Sequence, residues 1–144
     1  MRVLFGNWQF WALGAAVFAA LTAIFGKIGV GAIHSDLATL IRTLVILALI
    51  TLMVAAGGAW QPPATIPGRT WLFLVLSGLA TGASWLCYFR ALKLGEAARV
   101  APLDKLSVVL VALFGALFLG ERLSMVNWIG VGLIGAGAVL VALR

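Results

Sequence analysis

Apolar residues run through this chain in long stretches whose ends are marked by charge, proline or glycine. About 20 such residues in a helix, rising 1.5 Å each, cross roughly 30 Å of hydrocarbon. The pattern therefore predicts membrane helices over about 8–30, 36–56, 70–92, 97–119 and 124–143. Trp8 and Trp11 sit at one end of the first as aromatic anchors, with Lys27 near the other. Lys27 either snorkels to the interface or faces a cavity. Ala15, Ala19 and Ala23 share a face that permits close helix contact. Residues 57–69, GGAWQPPATIPGR, are the longest connection, a loop by turn chemistry, with Trp60 and Trp71 beside it.

Polar residues inside the apolar runs carry the functional information. Ser35 or Asp36 suits the start of the second span. Arg42 follows Asp36 by about two turns, roughly 9 Å along a helix. It is always charged, so it must find a carboxylate, backbone carbonyls or water, or snorkel back to the headgroups. Thr39 and Thr43, one turn apart, extend a polar stripe beside it. In the third span Gly78 and Gly82 have the spacing that lets helices approach, and Trp85 and Tyr88 lie one turn apart ahead of Arg90. An aromatic wall beside a cation suits a binding site; core packing is the plain alternative. The short link at 93–97 makes spans three and four an antiparallel hairpin, with Glu96 and Arg99 at the water interface.

The fourth span is the pivot. Pro102 has no amide hydrogen, so it either opens this helix or kinks a longer one starting near Ala97. Asp104 and Lys105 then sit at a helix irregularity in either case. Asp104 is a dipole-complementing acid in the first turn if Pro102 opens the helix, and otherwise part of a polar pathway. Ala112, Ala116 and Gly120 form a small-residue seam, Gly120 to Arg122 make a tight turn, and Ser124 caps a glycine-rich last helix in which Gly132 and Ala136 repeat the spacing.

Composition narrows the class. With 64% hydrophobic and 10% charged residues and a mean hydropathy of +1.17, the chain cannot clothe a soluble globule. The net charge of +6 is dispersed among apolar runs; this fits loops against anionic lipid rather than nucleic acid. Cys87 is a lone cysteine and reads as packing, and His34, a lone histidine, reads as a solvated loop residue. One histidine and one cysteine leave no metal site or cofactor to expect, and with four acidic residues and no Ser/His/Asp set an enzyme is not expected. The apolar N-terminus reads as a retained first span rather than a removed signal.

Five spans put the termini on opposite sides. Arg2, Arg69 and Arg122 balance Lys93, Arg99 and Arg144, and Lys27 and Arg90 tip the count only slightly towards an outside N-terminus. So small a bias leaves insertion both ways open. Because many transporters set their site between inverted repeats, a second, upside-down copy of this chain can serve as the missing half.

The stretch ALKLGEAARVAPLDKLSVVLVALFGALFLGERLS, followed by Trp-Ile-Gly and a glycine-rich helix, resembles the EamA-type domain of the drug/metabolite transporter superfamily. AALTAIFGKIGVGAIHSDLATLIRT resembles its short, single-domain five-span group, called the bacterial/archaeal transporter group. The resemblance implies an all-α integral membrane protein, one EamA-type half-transporter over residues 1–144. It implies a homodimer, parallel or inverted, in the lipid bilayer of the inner membrane, moving a small metabolite or drug-like solute by alternating access. The related four-helix exporters use a glutamate in their first helix; none stands here, so Asp104 or Asp36 must act if protons drive transport. The substrate-binding residues expected are Arg42, Thr43, Trp85, Tyr88, Asp104, Lys105 and Ser107. Arg42 and Lys105 hold an anionic group or pair with Asp104, and the aromatic rings meet the apolar part. The rival expectation is a non-transporting subunit of a larger membrane complex, which uses the small-residue seams without the charges.

Overall fold

The computed structural model describes residues 6–143; Arg2 and Arg144, counted in the charge balance, lie outside them. The described residues form helices without strands: α1 Trp8–Val30, α2 Ser35–Ala56, a 3₁₀ turn at Pro63–Thr65, α3 Gly68–Leu94, α4 Ala97–Asp104, α5 Leu106–Phe118 and α6 Met125–Ala142. Five stretches are long and apolar enough to cross a membrane, α4 and α5 together making the fourth. The molecule is a multi-pass, all-α membrane protein. The described residues form two compact units, one of residues 28–93 and the other of residues 6–27 and 94–143.

In the second of these units the fourth span takes the kinked alternative. Its helix starts at Ala97 and contains Pro102, and regular helix is interrupted at Lys105. There the ladder tightens to three-residue spacing, with the Lys105 amide donating to the Pro102 carbonyl at 3.0 Å and the Val108 amide to the Lys105 carbonyl at 2.9 Å. Asp104 thus closes α4 and does not begin a helix. The first-turn role for its carboxylate falls away because the true helix start is seven residues upstream.

Both α4 and α5 pack on α6. Gly120 takes a left-handed φ of 69° and turns the chain, so that the Glu121 amide reaches back to the Gly115 carbonyl at 3.1 Å. Ser124 caps α6 as expected, its hydroxyl accepting from the Asn127 amide at 3.2 Å. The close approach between α5 and α6 is at Gly135, where an added Cβ would stand 3.1 Å from Val109 Cγ2. Gly120 lies in the turn rather than on a helical seam, and open space surrounds Gly78, Gly82 and Gly132. Small residues permit contact without compelling it, and which ones are used depends on helix rotation. Lys27 donates to the Gly95 carbonyl at 2.8 Å, in the α3–α4 connection.

In the other unit, Gly57 ends α2, its amide returning to the Met53 carbonyl at 2.9 Å, and Gly58 follows at φ 62°. The buried positions are Val30, Ser35, Ala38, Thr39, Phe89 and Leu92, next to the α1–α2 connection and the end of α3. Ser35, Ala38 and Thr39 mark one face of α2 by their three- and four-residue spacing, and Phe89 and Leu92 do the same for α3.

Candidate functional site

Arg42 continues the buried face of α2 one turn past Thr39 and Ala38. Its guanidinium carbon lies 3.8 Å from the centre of the Trp85 ring and 5.2 Å from that of Phe89, both on α3. The guanidinium therefore lies against α3. Thr39 and Thr43 do not reach the arginine: their hydroxyls donate one turn back, to the Ser35 carbonyl at 2.9 Å and the Thr39 carbonyl at 2.8 Å. Arg42 Nη1 is buried and has no hydrogen-bond partner. An arginine within a membrane helix costs about 3 kcal/mol, and stacking on an aromatic face returns about 0.5 to 2 kcal/mol. The rings offset that cost only in part.

Nearer the end of the same helix pair, Arg90 makes a two-pronged contact with Asp36, Nε to Oδ1 at 3.2 Å and Nη2 to Oδ2 at 2.9 Å. Fork-to-fork pairing of this kind fixes direction as well as distance. His34, and not Ser35 or Asp36, caps α2: its Nδ1 accepts from the Asp36 amide at 3.3 Å. Lys93 donates to the Ile33 carbonyl at 2.6 Å. Asp36 is therefore tied to α3 through Arg90.

The remaining expected residues belong to the other unit. Asp104 Oδ2 pairs with Lys105 Nζ at 3.3 Å, both side chains partly exposed, and Ser107 is exposed on the first turn of α5. The structure brings together Arg42 and Trp85 in one group, with Tyr88 half-buried beside Phe89, their ring centres 6.3 Å apart. It brings together Asp104 and Lys105 in another. Phe89 and the Asp36–Arg90 pair were missing from the expected set.

A sequence model of the EamA-like transporter family matches residues 6–143. The chain belongs to the EamA-like transporter family. A relative in Sinorhizobium sp., named "uncharacterized transporter in cobO 3'region", is 71% identical over 136 residues, which cover 94% of this chain and 96% of the relative. No solved structure matches. The family match and the name of this relative support a membrane transporter.

Proposed function

We propose that this EamA-like chain is a transporter subunit of the inner membrane, moving a small metabolite or drug-like solute as a homodimer by alternating access. The observation that carries the reading is Arg42: a permanent charge turned into a membrane helix pair, stacked on aromatic rings and lacking a partner for one donor. A purely structural helix gains nothing from such a residue, whereas a solute path needs polar groups that the fold leaves unfinished. Arg42, Thr43, Trp85 and Tyr88 in one unit, and Asp104, Lys105 and Ser107 in the other, are the residues we assign to substrate contact. Five spans make half of the usual inverted-repeat plan, so a second copy completes it. The helix interruption at Lys105 is a local site of backbone rearrangement within the fourth span.

Proteoliposomes carrying the purified protein test this with a panel of labelled solutes. Flux that falls at least tenfold in Arg42→Ala and in Asp104→Asn supports the reading; unchanged flux in both removes these residues from the mechanism. C-terminal reporters active on both sides of the membrane support an inverted pair. A dominant heterologous crosslink in native membranes, without a self-dimer, favours instead a non-transporting subunit.

A further inference from the structure

The chemistry around Arg42 narrows what the path takes, on the understanding that the residue lies on that path. All four acidic residues of the chain lie within the described part, and three are committed elsewhere: Asp36 to Arg90 at 2.9 Å, Glu96 to Arg99 at 3.3 Å, and Asp104 to Lys105 at 3.3 Å. The fourth, Glu121, lies beside Gly115, where an added Cβ would meet its Oε2 at 2.7 Å. Arg42 takes part in none of these pairs. The nearby hydroxyls of Thr39 and Thr43 are donors to backbone carbonyls. Among the described residues, none of the four carboxylates is paired with this guanidinium.

Its geometry suits an incoming anion. Trp85 and Phe89 engage it through their rings, and stacking of this kind uses the face of the guanidinium, not the in-plane N–H edge that carboxylates grip, of which Nη1 is buried. The rings hold the fork in place, so less freedom is lost when a ligand arrives. Of the other basic side chains in this unit, Arg90 is paired with Asp36, Lys93 donates to the Ile33 carbonyl and Arg69 lies near the start of α3 against the Phe73 ring, so the one positive charge at the Trp85 ring is that of Arg42. One charge matches a monoanion, not a dianion or polyphosphate. Trp85 and Phe89 offer apolar area to whatever the anionic group is attached to.

We infer that Arg42 is the anion-recognition residue of this transporter and that its ligand is an amphipathic organic monocarboxylate. The anion is read by the guanidinium edge and the apolar part lies against the Trp85 ring.

Isothermal titration of the full-length protein in nanodiscs of zwitterionic lipid tests this with acetate, benzoate and phenylacetate, and with benzamide and phenethylamine as neutral and cationic matches. The inference expects benzoate or phenylacetate to bind at least tenfold more tightly than the amide or the amine, and acetate more weakly than either. Arg42→Gln abolishes the preference for the carboxylate, and Arg42→Lys, which keeps the charge but loses the fork, retains a weakened one. Trp85→Leu lowers affinity for the aromatic acids more than for acetate. Equal binding of acid and amide, no binding of any acid by wild type, or a preference that survives Arg42→Gln in protein of native size-exclusion profile overturns the inference. So does loss of the carboxylate signal when phosphatidylglycerol is added, which would make a lipid phosphate the occupant. Arg42-dependent carboxylate binding without flux in proteoliposomes would sink the transport reading and leave this inference standing; flux of neutral solutes untouched by Arg42→Gln would do the reverse.

Discussion

Two helix pairs in this molecule are joined by opposite means. Between α5 and α6 the contact is apolar and close, made where Gly135 lacks a side chain and Val109 fills the gap. Between α2 and α3 it is made by long polar and aromatic side chains, Asp36 to Arg90 and Arg42 to Trp85. Lipid is as apolar as leucine, so the first kind gains only by shape, and any added atom is felt at once. The second kind depends on direction and charge and can be undone by water or a competing ion. A glycine contact suits a part that stays closed; charge-based contacts suit a part that changes partners.

The largest effect is therefore expected at the glycine contact. Gly135→Leu forces a bulky group against Val109, a stiff β-branched neighbour, and should cost about 1 to 3 kcal/mol or prevent folding, read as detergent-solubilised thermal unfolding. Gly135→Ala should cost less, and Val109→Ala should restore part of it in a double-mutant cycle. A cycle that shows no coupling would break the contrast on this side.

Next in size comes Arg42, where stability and function should part. Arg42→Met removes a partly unsatisfied cation from an apolar setting, so its melting temperature should hold or rise, while flux drops at least tenfold. A fall in both would mean that the arginine is chiefly structural. The Arg42–Trp85 cycle should give a coupling of about 0.5 to 2 kcal/mol.

Arg90→Lys keeps the charge and loses the two-pronged grip on Asp36. It should lower the melting temperature by less than Gly135→Leu, and the loss should shrink as salt is added because the pair is exposed. Smallest of all, Gly115→Ala should shift unfolding by under about 0.5 kcal/mol. The atom nearest its new methyl is the far end of the Glu121 side chain, which can swing aside. A large effect there would show Glu121 to be pinned.

The spans were legible because hydropathy over about 20 residues is a local property that the bilayer alone enforces. So was a disturbance near Pro102, although its position at Lys105 was fixed only by the whole ladder of carbonyls behind the proline. The serine cap of α6 followed from residue type, while at α2 the chain uses His34, whose ring nitrogen does the work that Ser35 or Asp36 seemed better made for. Arg42 stood out as a charge out of place, and Trp85 as an aromatic of unusual depth. Their meeting did not, because it depends on how α2 and α3 are rotated about their own axes. The hydroxyls of Thr39 and Thr43 could have been assigned to the backbone one turn behind them, a habit of threonine in apolar helices.

A final point concerns the proline in the fourth span. The carbonyl of Ala98 would ordinarily receive its hydrogen from the residue four places on, and Pro102 has none to give. One rung is missing before any motion starts, and regular helix is already interrupted three residues later at Lys105. Flexing the rod at that point asks less of the backbone than flexing it anywhere in Leu106–Phe118, where an intact rung must first be pulled apart. The chain thus carries its own crease, placed next to the Asp104–Lys105 pair.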